Sequence, residues 1–361
     1  MMIGAAEDAD KQGDPLAAKA KMDLARLAGF DTIRVTALWQ PGDQTLENYD
    51  LVTIGNAAAA ARLDGIRLVV AVYPTGSRST PLSFADQTAF AGFAAELAAA
   101  LPSVSYFIVG NEPNLNRFWM PQFGPGGTDV AAVAYESLLA LTYDAIKAVN
   151  PAITVIGGSV SPRGEDLPGS IRPTHSPTTF ISDLGAAYWA SGRTLPIMDA
   201  FAFHPYLESS RLAPALQHPY STTVALADYG KLVDLLGGAF DGTAQPGSTL
   251  PILYDEFGVQ SVIAGPKHAL YTNARTRAAL DAVSEAQQAQ SYRQALALAY
   301  CQPNVIGLLF FHVSDERDLA AWQSGLYYAD DTPKSSLAPV RQAIEQLRAG
   351  TLTSCLFTKH R

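Results

Sequence analysis

Two acidic motifs stand at the ends of apolar runs, where an acid is costly unless it faces a solvated, functional mouth. Val109-Gly110-Asn111-Glu112-Pro113-Asn114 follows the run 105–109, and Leu253-Tyr254-Asp255-Glu256-Phe257-Gly258 closes the run 251–254. A carboxyl and an amide at a strand mouth do not fill a core. The plainer reading has Glu112 capping the next helix while Pro113 ends the strand. Asp255 and Glu256 are neighbours, and strand alternation points them opposite ways, so one of the two is expected to face away from the barrel axis. A third motif, Phe203-His204-Pro205-Tyr206, follows the run 200–203. Arg34 lies inside the apolar run 32–38, where a cation needs a carboxylate partner.

Two carboxyl groups flanking one bond are the equipment of glycoside hydrolysis. One protonates the leaving group and the other, ionised, attacks the sugar carbon. The route that retains configuration needs them about 5–5.5 Å apart. Such a pair requires two strand ends facing one cleft.

The chain supplies the strands. Short continuous apolar runs at 2–5, 32–38, 66–72, 105–109, 153–157, 200–203, 251–254 and 305–311 alternate with longer stretches at helical spacing. Asp14-Pro15 opens the first helix and Gly29 closes it; Ser83 caps the third, which runs to about Leu101. Helices are expected over 129–149, 177–190, 223–236, 286–300 and 337–347. Eight strands, each followed by a helix, predict a single α/β domain, a (β/α)8 barrel, over residues 1–350 with a tail at 351–361. No GxGxxG follows any strand, which disfavours a dinucleotide fold. The long strand-to-helix loops, 159–176, 206–221, 259–283 and 313–333, would all wall the C-terminal face.

Composition narrows the partners. With 48% apolar and 16% charged residues the chain can bury a large core, and a net charge of −9 disfavours nucleic acid. No apolar stretch reaches the length of a membrane span. The start, residues 1–4, lacks the basic and apolar segments of a signal peptide. Cys301 and Cys355 either pair, tying the tail to the helix over 286–300 and implying an oxidising compartment, or stand apart as free thiols.

Asn-Glu-Pro after strand four, His-x-Tyr after strand six and a Glu after strand seven resemble the pattern of glycoside hydrolase clan A. Within it the chain is most similar to family 39-like and family 5-like members, over nearly its whole length. The resemblance implies Glu112 as acid/base and Glu256 as nucleophile of a retaining enzyme on an oligo- or polysaccharide, without cofactor or metal. It implies that Asn111 bonds the sugar 2-hydroxyl, Arg34 supports the nucleophile, and His204 and Tyr206 hold the nucleophile or its neighbours. Substrate logic then favours a place outside the cytoplasm, with a cytoplasmic one left open. Strand eight departs from the pattern, ending Phe310-Phe311-His312 where the clan often has Trp. Trp322 or Trp39 is expected to supply the sugar platform instead, with Trp119, Tyr73 and Tyr327 as further stacking candidates and His312 beside the substrate. Two other readings stay open. One is a metal-dependent sugar-converting barrel using Glu112, His204, Glu256, His312 and Asp315. The other is a carbohydrate-binding barrel without turnover.

Overall fold

Alternation along the apolar runs divides their side chains between two cores. Val69, Ala71, Ile108, Ile156, Ala202, Leu253 and Leu309 pack inside the sheet. Ile33, Val35, Val70, Val72, Phe107, Leu308 and Phe310 face a larger outer core shared with the helices. The computed structural model describes residues 1–43, 48–273 and 279–351.

Its strands are β1 (Met2–Ala6), β2 (Thr32–Trp39), β3 (Arg67–Pro74), β4 (Tyr106–Val109), β5 (Thr154–Val160), β6 (Ala200–Phe203), β7 (Ile252–Phe257) and β8 (Val305–Phe311). They are all parallel and close in sequence order, with β8 pairing β1. The helices are α1 (Pro15–Ala28), α2 (Asn48–Asp64), α3 (Phe84–Ala100), α4 (Val130–Val149), α5 (Pro177–Ser191), α6 (Tyr229–Phe240), α7 (Glu285–Tyr300) and α8 (Leu337–Arg348). The expected (β/α)8 barrel is therefore the fold. β1 and β2 approach closely at Gly4, where a Cβ would stand 1.7 Å from the Thr32 carbonyl oxygen, so only glycine fits.

Asp14, Ser83, Asp129, Ser176 and Ser284 cap their helices by accepting from main-chain N–H groups of the first turn. The sixth helix is displaced from its expected span of 223–236. A short 3-10 turn, Leu226–Asp228, comes first, because Asp228 accepts from the Ala225 and His218 N–H groups and pairs with the His218 ring. The helix then continues through Gly237 and Gly238 past the expected end at Leu236, because Ala239 and Phe240 are buried.

Trp39 needs a correction as a sugar platform. It follows Ile33, Val35 and Ala37 onto the outer face of β2, is fully buried, and meets the Phe90 ring of α3 edge-on at 5.6 Å. Trp119 is likewise buried behind the β4 end, edge-on to Tyr135 at 5.8 Å. Tyr327 is buried in the outer core and donates to the Leu24 carbonyl of α1.

The loops after β7 and β8 are joined by a buried node. Lys334 Nζ lies 2.6 Å from Asp315 Oδ1 and 2.8 Å from Ser261 Oγ, and Tyr271 donates to Asp315 Oδ2 at 2.7 Å. Asp315 is thus taken up in this node. Cys301 follows α7 directly, whereas Cys355 and the expected tie through it lie outside the described residues. Among the described residues no helix is long and apolar enough to cross a membrane.

Candidate active site

The β4 end is shaped by its neighbours. Tyr135 of α4 donates to the Val109 carbonyl at 2.6 Å and accepts from the Gly158 N–H at 2.7 Å, linking β4 to β5. Gly110 sits at φ +93°, with a Cβ position 2.8 Å from the Tyr135 ring, so the turn requires glycine. Two residues on, Glu112 itself adopts φ +41°, and its N–H donates to the Ser159 carbonyl. A left-handed conformation costs a residue other than glycine about 1–3 kcal/mol and persists where surroundings impose it, which is common at functional sites. The Asn114 amide adds the restraint here, bonding the Ser161 main chain on both sides and the His175 carbonyl.

Arg34 stands on the inner face of β2, between Thr32 and Thr36. Its Nη1 donates to Glu256 Oε1 at 2.5 Å, its Nη2 to Asn111 Oδ1 at 2.9 Å, and its Nε lies 3.5 Å from Asp255 Oδ2. Both acids of β7 therefore face the barrel mouth, contrary to the expected alternation. The cause is a register irregularity against β8 between Tyr254 and Phe257, which puts successive side chains on one side. Asn111 accepts from Arg34 through its oxygen, which leaves its amide hydrogens for the cavity.

His204 occupies the centre of the acids and is fully buried. Its Nδ1 lies 3.0 Å from Glu112 Oε1 and 3.6 Å from Glu256 Oε2, and its Nε2 makes an ionic contact with Asp255 Oδ2 at 3.3 Å. Burial alone would lower its basicity. The charges of Glu256 and Asp255 override burial and hold the imidazole well above its ordinary pKa. Burial would likewise raise Asp255, yet His204, Arg34 and the Ser159 hydroxyl at 2.6 Å keep it below the usual carboxylate range. Tyr206 is driven far upward by burial and by Glu256 and Glu112; it stays a phenol and donates to Glu256 Oε2 at 3.2 Å.

Glu112 and Glu256 open onto a cavity of about 550 Å³ that Asn111, Tyr73, Tyr206, Phe311 and Trp322 also line. Trp322 lies 5.5 Å from both the Tyr206 and the Phe311 rings and borders the same cavity as the acids. His312 is not in this cavity; it stacks on Phe311 at 3.9 Å and lines a neighbouring one. Of the expected residues, Glu112, Glu256, Asn111, Arg34, His204, Tyr206 and Trp322 come together, while Trp39, Trp119 and His312 do not. Asp255 and Ser159 were missed as partners of the cluster. The adjacent acids were a signal for Asp255; Ser159, after two glycines at the end of β5, offered none.

The fold and the mouth so defined are those of a (β/α)8 barrel with acids at the ends of β4 and β7. No protein-family model matches the sequence, and no curated protein matches it. Solved structures do. A family 39 glycoside hydrolase from the gut symbiont Bacteroides cellulosilyticus WH2 aligns at TM-score 0.67 and 19% identity over 96% of this chain, which spans 63% of that one. The GH5_18 enzyme of Streptomyces cattleya, solved with GlcNAc, aligns at 0.62 and 17%, covering 96% and 80%. A monomeric β-xylosidase from Caulobacter crescentus CB15 aligns at 0.57 and 19%, covering 96% and 67%. These structural neighbours are glycoside hydrolases, and at such identities the likeness is one of fold.

Proposed function

We propose that this chain is a retaining glycoside hydrolase that cleaves an O-glycosidic bond of an oligo- or polysaccharide by double displacement. The observation that carries the reading is the position of His204 Nδ1, 3.0 Å from one acid and 3.6 Å from the other. Laid end to end these distances only just reach the lower bound of about 6.5–9.5 Å that an inverting pair needs to admit water. The shorter spacing of a retaining pair is therefore favoured.

In this reading Glu256 attacks the anomeric carbon while Glu112 gives its proton to the departing oxygen. A covalent glycosyl-enzyme results, and Glu112 then takes a proton from the water that releases the sugar. Arg34 and Tyr206 each orient one oxygen of Glu256, and His204 orients Oε1 of Glu112, leaving Oε2 for the substrate. Asn111 presents its amide hydrogens to a sugar hydroxyl, and Trp322 offers a ring face to the sugar plane. The metal-dependent alternative loses a ligand, because Asp315 is engaged with Lys334 rather than aimed at the cavity.

Glu112→Ala and Glu256→Ala should each abolish hydrolysis across a panel of aryl glycosides and polysaccharides while the fold is kept, as read by circular dichroism. Azide should rescue Glu256→Gly with inverted product and Glu112→Gly with retained product. Exchange of the two outcomes would reverse the roles, and full activity in both alanine variants would end the assignment. The wild type is expected to act outside the cytoplasm, which fractionation of the native host would test.

A further inference from the structure

Beyond Glu112 and Glu256, the charges on the catalytic cavity are divided between its two sides. Arg117 and Arg163 line it from the loops after β4 and β5, whereas Glu208, Asp281 and Glu316 line it from the loops after β6, β7 and β8. Asp281 accepts from the Ser210 N–H at 2.9 Å, and Glu208 lies 3.3 Å from the His218 ring. The arginines have no such partners. Among the described residues no carboxylate lies within ion-pair distance of either guanidinium.

Arg163 is the better buried of the two, and its loop is anchored on both sides of it. The Asn114 amide bonds the Ser161 main chain, and the Pro162 carbonyl accepts from the Val224 N–H at 3.0 Å. At Gly164 a Cβ would stand 1.9 Å from the His175 carbonyl oxygen, so the turn after Arg163 admits only glycine. Arg163 Nη1 donates to the Tyr206 carbonyl at 2.9 Å, which fixes the guanidinium and leaves its Nε and Nη2 unbonded among the described residues. Burial lowers the Arg163 pKa, and the charges of Glu208 and Glu112 offset only part of that effect. A cation drawn out of water without an ion pair is costly, and an anionic ligand relieves it. The two parallel N–H donors along one edge of a guanidinium match a carboxylate. Arg117 is exposed at the rim, its guanidinium 5.2 Å from the Phe118 ring centre.

Direction follows from the acids. Glu112 gives its proton to the departing oxygen, so the leaving unit lies on its side, against the loops after β4 and β5. Resting on the glycosidase reading above, we infer that Arg163 and Arg117 form a carboxylate-binding subsite for the leaving unit, and that the chain cleaves a neutral sugar from a uronic acid. The acids on the opposite loops disfavour a carboxylate on the cleaved unit itself. The reaction is unchanged: one glycosidic bond breaks, water adds across it, and the arginines set only which leaving unit is held.

The test uses the full chain and two pairs of disaccharides. In each, the sugar that the panel identifies is joined to glucuronic acid or to glucose, and to galacturonic acid or to galactose. Wild type should cleave the acidic member of at least one pair at least about tenfold more efficiently, the effect of one hydrogen bond to a charged group. The preference should lie mainly in KM and shrink as salt rises from about 50 to about 500 mM. Arg163→Gln should remove most of it, Arg163→Lys should keep part through charge without the fork, and Arg117→Gln should reduce it by about two- to threefold. Free uronic acid of the preferred pair should inhibit wild type more strongly than its neutral counterpart, a reading that needs no variant to fold. Equal efficiency on both members of both pairs, equal inhibition by the free sugars, or a preference that both glutamine variants keep in full overturns the subsite while leaving the glycosidase reading standing. A wild type that hydrolyses no glycoside overturns both.

Discussion

Trp322 and Trp39 show how one residue type serves two purposes according to which face it occupies. Trp322 borders the catalytic cavity against Tyr206 and Phe311, whereas Trp39 is fully buried among the residues under α3. Stacking of an aromatic ring contributes about 0.5–1.5 kcal/mol, so Trp322→Ala should raise KM by up to about tenfold with little change in Tm. Trp39→Ala should act the other way. Emptying a large buried site costs about 3–5 kcal/mol, which urea unfolding would register, while KM of the folded fraction stays the same. A KM effect from Trp39 equal to that of Trp322 would contradict the division of faces.

The start of α4 carries a charge that the fold does not favour. Asp129 caps the helix through the Ala132 N–H, but burial, only partly offset by that hydrogen bond and by His175, raises its pKa to about 6. A carboxyl whose folded pKa exceeds its unfolded value of about 3.9 costs stability once ionised. The loss therefore develops as pH rises from about 4 to about 6 and persists above. Asn caps as well as Asp and carries no charge. Asp129→Asn should stabilise the protein by on the order of 1–3 kcal/mol at pH 7.5, and the gain should vanish near pH 4. Thermal melts across that range would show it. A lower Tm at pH 7.5 would mean that the helix N-terminus needs the negative charge more than burial opposes it.

At the scale of the whole molecule, the long loops after β7 and β8 must hold one side of the mouth without the support of the sheet. The Lys334–Asp315 pair does this from a position closed to solvent, with Ser261 on one loop and Gln323 on the other bonded to the same ammonium. Burial pulls the Lys334 pKa down and pushes the Asp315 pKa up, so the pair holds its charge by mutual contact. Removing one partner strands the other, a loss of about 3–5 kcal/mol, whereas replacing both with apolar groups of similar volume is often neutral. Lys334→Ala should lower the urea midpoint accordingly, and Lys334→Met/Asp315→Leu should recover most of it. Equal destabilisation by both variants would show that the charges themselves, beyond the filled volume, hold the loops.

The sequence alone determined the barrel, because short continuous apolar runs mark strands buried on both faces, stretches of period 3.6 mark helices, and the two alternate eight times. It also marked Glu112, Glu256, His204 and Arg34, since polar groups at apolar strand ends are costly without a function. What it left to tertiary structure were the features that depend on more than one strand. The irregular β7–β8 register put Glu256 on the same side as Asp255. Only the strand's place against α3 told that Trp39 belongs to the outer core. The ring positions of Trp322 and His312, and the neighbouring cavity that His312 lines, arise where loops distant in sequence meet. Local pattern specifies which side of one strand a residue occupies. Register between strands and the packing of loops over their ends decide which of those side chains meet.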